Sequence, residues 1–271
     1  MKPRPFIQKL IGIIAGVLSS IFFLALEILP RLFSEREESL QLRIGIGVAV
    51  LLWFGMLSLM YIFVRRVGAM SRDRVIQVWV TVVSFTALRL VIEVPFLALF
   101  LMVILGFFVA LLFGWADNEG QVMHVQKIIR RLVAGLWVFN AYALVTVLFA
   151  LSSFFQQQVP FFLLSLLGAV VLGGVSWMIW LLYFPEKEQQ DRLLSAGVLS
   201  LAMFQLFWIM KYLPLGYLVL GIMITWVWYV LQLFFRFNFS SQGILWKDQR
   251  VFLLMNVVLY MFMLVFLVRW I

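Results

Sequence analysis

Four charged residues sit within or at the edge of long apolar runs: Glu27, Arg89, Glu93 and Lys211. An ionisable side chain in a hydrocarbon-length segment is costly, so it marks a proton relay, an ion path or a substrate site unless it reaches water. Arg89 and Glu93 are four residues apart, a spacing that joins their side chains if helix continues across them. With Glu27 they would form one polar cluster at the outer face, able to hold a polar solute or pass a proton. The plainer reading places all four at the outer ends of their spans as interfacial anchors. Glu27 then meets Arg31, and Lys211 extends its ammonium towards water.

Other residues with chemical potential lack the company that chemistry needs. The single histidine, His124, follows Asp117 and Glu119, but the spacing matches no zinc motif. Asp117 or Asn118 as a helix cap is the simpler reading. Ser176 lies in the run Gly173-Gly174-Val175-Ser176-Trp177, which superficially has the look of a nucleophile elbow. No histidine stands in a spanning segment to activate it. With no cysteine in the chain, disulfides, thiol catalysis and thiolate metal sites are excluded. No phosphate-cradling loop and no paired-aspartate motif is present. The expectation is therefore no cofactor, no metal and a chain leaning away from enzymatic activity.

Two stripes of small residues have a different use. Gly12, Gly16 and Ser20 recur every four residues, as do Ser165, Ala169 and Gly173. Such stripes let helix backbones approach closely inside a membrane, where packing replaces the absent hydrophobic drive. They predict packing within the chain, or a homo- or hetero-oligomeric contact. Polar residues near mid-span are few: Asn140, Thr146, Gln205, Thr225 and Asn256. Interhelical hydrogen bonding accounts for each, and a hydrated pathway would need more polar lining.

The elements that position these residues follow from composition. Sixty-five per cent of the 271 residues are hydrophobic and 12% are charged, with a mean hydropathy of +1.08. Soluble domains carry about 25% charged residues, so the surrounding solvent must be lipid. A spanning helix needs about 20 mainly apolar residues. Nine segments qualify, at 10–29, 44–64, 75–92, 94–115, 132–155, 161–184, 193–212, 215–235 and 251–267. The third and fourth come from one run too long for a single crossing, which must reverse at Arg89, Glu93 and Pro95. The segment at 116–131 is polar and then amphipathic, lying at the interface or extending the fifth span. The apolar run after the basic N-terminus reads as a retained first helix and not as a cleaved signal. Trp115, Trp246 and Trp270 fall at expected interfaces, whereas Trp53, Trp180 and Trp226 lie deeper.

The basic residues order the spans. With the N-terminus inside, 15 of the 21 Lys and Arg fall in inner segments and 6 in outer ones. That asymmetry predicts N-inside, C-outside and an odd number of crossings. The net charge of +9 is thereby explained without nucleic acid, since no basic stripe with interleaved aromatics is present. The sequence predicts an all-α polytopic transmembrane helix bundle of about nine spans, one domain over 1–271, in the cytoplasmic membrane of a prokaryote. Three function classes stand. The first is a non-enzymatic scaffold or subunit of a membrane assembly. The second is a transporter for a small or amphipathic solute, which needs a cavity reaching Asn140, Gln205 or the Arg89–Glu93 turn. The third is an enzyme on lipid-linked substrates, with Glu27, Arg89 and Glu93 converging at one face.

Overall fold

The structure, a computed structural model, describes residues 10–22, 72–92, 94–114, 123–154, 159–239 and 246–267, with positions 55, 58 and 62. Among the described residues every regular element is an α-helix and none is a strand. In chain order they are α1 (Leu10–Phe22), α2 (Arg72–Val91), α3 (Pro95–Gly114), α4 (Met123–Phe154), α5 (Phe161–Tyr183), α6 (Gln189–Lys211), α7 (Tyr217–Phe239) and α8 (Trp246–Leu267). Five helices, α4 to α8, contain stretches long and apolar enough to cross a membrane. Shorter apolar stretches occur in α1, α2 and α3. The expected second span, apart from three positions, lies outside the described residues, as do Glu27, Glu93, Asp117, Asn118, Glu119, Trp53, Trp115 and Trp270. His124 belongs to α4, but its side chain is outside the described set.

The chain divides into two compact units, Met1–Gln126 and Lys127–Ile271. In the first, the long apolar run folds back as proline requires. α2 stops at Val91, and the Ile92 N–H still donates to the Leu88 carbonyl at 3.1 Å. Pro95 then opens α3, where a missing N–H costs nothing because that position has no intrahelical acceptor. α2 and α3 pack on each other, with Val82, Phe85 and Leu88 buried on one and Leu101, Leu105 and Val109 on the other. α1 lies antiparallel to α3. Gly16 faces Gly106 and Ala110, and one turn on the Ser20 hydroxyl donates to the Met102 carbonyl at 3.3 Å.

The second unit alternates up and down. α4 is a single helix of 32 residues, about 48 Å long at 1.5 Å per residue, against a hydrocarbon core of about 30 Å. From Lys127 to Leu132 it is largely exposed, and burial begins at Leu136. The amphipathic segment thus extends the span as continuous helix. α5 and α6 are antiparallel: Gly173 meets Ala196 and Ser200, and Phe161 meets Trp208 at the other end. α7 runs parallel to α5, pairing Trp228 with Leu172 and Phe239 with Phe184. It runs antiparallel to α4, with Gly221 on Thr146 and Tyr217 beside Phe154. α8 returns antiparallel to α7, from Trp246 beside Phe234 to Asn256 beside Trp226.

Three of these helices outrun their apolar segments. α6 begins at Gln189 and takes in Asp191 and Arg192; α7 continues through Arg236 to Phe239; α8 begins at Trp246 and includes Arg250. The reason is that a charge at a helix end does not stop the helix. An acidic residue in the first turn of α6 and a basic one in the last turn of α7 both suit the helix dipole.

Candidate functional site

Arg89 lies at the end of α2, half-buried, and its Nη1 donates to the Ile92 carbonyl at 2.9 Å. It thereby closes the helix C-terminus, where freed carbonyls attract cations. Glu27 and Glu93 lie outside the described residues, so the outer-face trio has one member with a described place. Lys211, at the end of α6, is exposed, with its ammonium 4.6 Å from the Phe161 ring centre and 5.7 Å from that of Trp208.

The small residues occupy helix contacts. Gly12 and Gly16 are buried on α1. A Cβ on Gly16 would collide with the Gly106 carbonyl and with the Ala110 Cβ, so the two backbones touch there. Ser165, Ala169 and Gly173 are all buried on α5. A Cβ on Gly173 would strike the Ser200 hydroxyl and the Ala196 carbonyl. Gly168, outside the stripe as the sequence presents it, lies under the Phe207 ring, which stacks on Phe149 at 5.3 Å.

A polar seam joins α5 to α7. The Ser176 hydroxyl donates to the Leu172 carbonyl at 2.8 Å and accepts from the Trp228 indole N–H at 2.8 Å. Trp228 also reaches the Leu172 carbonyl at 3.1 Å, and the Trp180 indole donates to the Gln232 backbone carbonyl at 3.4 Å. All four side chains in the seam (Ser176, Trp180, Trp228 and Gln232) are buried. Ser176 is thus engaged in helix pairing, bonded on both sides. Trp228 and Gln232 were invisible to sequence reasoning, because within an apolar run neither period nor spacing separates a buried indole from a lipid-facing one.

The mid-span polar residues scatter. Asn140 and Thr146 are fully buried, whereas Gln205 is exposed on α6. Thr225 is buried, and its hydroxyl has no hydrogen-bond partner among the described residues. It helps to line a laterally open groove of about 410 Å³ between α4, α7 and α8. Val138, Tyr142, Ile222, Trp226, Tyr229 and Asn256 supply the rest of the lining, which is overwhelmingly apolar. Asn140 and Gln205 are not part of it.

At the rim of this groove α8 is attached. The Trp226 indole donates to Asn256 Oδ1 at 2.8 Å, while Asn256 Nδ2 donates back to the Phe252 carbonyl at 2.8 Å. The Tyr260 hydroxyl meets the Met210 sulfur at 3.7 Å. No residue of its membrane-length stretch, Gln249–Phe266, is buried. The chain matches no family model, no curated protein and no solved structure. What the arrangement can do must be read from α8 and the groove themselves. Among the described residues no group of three His, Asp or Glu converges to hold a metal. Around α8 and the groove the described residues offer apolar contact plus a few directional hydrogen bonds.

Proposed function

We propose that this chain is a non-enzymatic scaffold or subunit of a membrane assembly, and that α8 is the helix a partner packs against. The supporting observation is the exposure of α8. In lipid there is no hydrophobic drive between helices, so a helix is held by close packing and by interhelical hydrogen bonds. Among the described residues α8 shows one such hydrogen bond, a weak contact to sulfur, and an open groove along its flank. Leu254, Met255, Val258, Met261, Phe262 and Val265 are left uncovered. A partner helix laid on this surface would supply the packing that the described residues do not.

The reading carries the finer topology with it: nine spans, N-terminus inside, in the cytoplasmic membrane of a prokaryote. It draws support from the alternation in the second unit, which collects Arg130, Lys187, Arg192 and Arg236 at one end and leaves Lys211 at the other. The chain has no cysteine, so a single introduced thiol is unique. Val258→Cys, carrying a benzophenone-maleimide in native membranes, should yield a photo-adduct of discrete higher mass with a protein. The same label at Val170, exposed on α5, should yield none. If Val258→Cys gives only monomer and lipid adducts, the docking role of α8 is wrong.

A further inference from the structure

We propose that Arg130 and Arg236, set against the Tyr183 ring, and Arg192, bonded to the carbonyls of the two residues after it, form a binding site for a phosphoryl oxyanion carried by an anionic phospholipid headgroup. Four helices build the site, because the up-and-down order brings the start of α4, the end of α5, the start of α6 and the end of α7 to one level. The Arg236 guanidinium carbon lies 3.6 Å from the Tyr183 ring centre, and that of Arg130 lies 5.9 Å from the same centre. Arg192 lies alongside: its Nη1 donates to the carbonyls of Phe184 at 2.9 Å and Pro185 at 3.4 Å, the two residues after Tyr183.

Among the described residues no carboxylate is in ion-pair contact with any of these three guanidiniums. Glu186, Glu188 and Asp191, in and just after the adjoining turn, are exposed. Arg192 is 6% exposed, and its Nε is buried without a hydrogen-bond partner. The Tyr183 ring and the carbonyls just past the end of α5 each attract a cation. Neither supplies the missing negative charge. A phosphoryl group does, and its oxygens fit the planar donor fork of arginine better than a point cation.

The surroundings favour a lipid as the carrier. Basic pockets between membrane helices at one face suit acidic headgroups. Leu193 and Leu194, next to Arg192, are 61% and 70% exposed, and Val198 and Leu201 continue that apolar surface along α6. Ile128 and Leu132 flank Arg130 in the same way. A headgroup at the arginines would lay its acyl chains on these side chains, whereas free phosphate would gain nothing from them.

The test is thermal unfolding of the purified full chain in detergent, with added phosphatidylglycerol or phosphatidylcholine of identical acyl chains, or with inorganic phosphate at matched ionic strength. Phosphatidylglycerol should raise the midpoint above phosphatidylcholine, and inorganic phosphate should leave it unchanged. The double variant Arg130→Gln/Arg236→Gln should lose that preference, a fall of roughly tenfold or more in relative affinity for two arginine contacts. The control Lys187→Gln/Arg250→Gln removes two exposed charges from the same end and should keep it. Arg130→Lys/Arg236→Lys, which retains charge and guards against misfolding of the glutamine pair, should keep a reduced preference. Equal response to the two lipids, or equal loss in the control, overturns the site. A full response to inorganic phosphate alone overturns the lipid as its carrier.

Discussion

Gly16 shows how much a single missing methyl can decide. Its backbone lies against Gly106, and a Cβ would overlap both that residue's carbonyl and the Ala110 side chain. Two backbones in contact cannot yield as a flexible side chain does. Gly16→Ile should therefore separate α1 from α3 and lower the thermal midpoint in detergent, with a cost of about 1–3 kcal/mol or more from overpacking. An unchanged midpoint would mean that α1 does not rest on α3 in the folded protein. The polar residues make the complementary point. Ser176, Trp228 and Asn256 are each spent on a hydrogen bond between helices or back to their own backbone.

Among the elements, α8 stands apart. Every other membrane-length helix has part of its apolar stretch buried, whereas α8 has none. Its hold on α7 rests largely on the bond from Trp226 to Asn256, with Trp246 tilted against Phe234 at 6.1 Å. Interhelical hydrogen bonds in membranes average about 0.6 kcal/mol. Asn256→Leu should therefore cost less than about 1 kcal/mol of global stability. It should, however, release α8 and speed its cleavage by protease in detergent. Unaltered cleavage would show that apolar contacts alone seat the helix. The expected reversal at Pro95 was legible because proline acts on local backbone. The starts of α6 and α8 were not, because apolar runs mark hydrocarbon depth and these helices continue beyond it.

For the molecule as a whole, the number and direction of crossings set everything else. Arg130, Arg192 and Arg236 lie at one end of the second unit, the end that the proposed N-inside order makes the inner one. Reporter fusions after Gln157 and after Ile271 should both report the outer side. A cytoplasmic signal at either would break the nine-span order and, with it, the placing of the basic end inside.

The sequence by itself determined the apolar, membrane-length character of the segments, the helical class and the reversal between α2 and α3. These depend on summed hydropathy and on local backbone limits, which do not require a partner. It also marked Gly12, Gly16, Ser165, Ala169 and Gly173 as small residues on one helical face, since i, i+4 periodicity is local too. Only the tertiary structure decided what those faces meet. It alone put Gly16 on Gly106, joined Trp228 to Ser176 across 52 positions, and set Arg130 and Arg236 on one tyrosine ring. The physical reason is the uniform apolarity of these segments. A membrane helix that is apolar all round carries no stripe to say which side faces protein and which faces lipid, so that choice is made by the fit of side chains between helices.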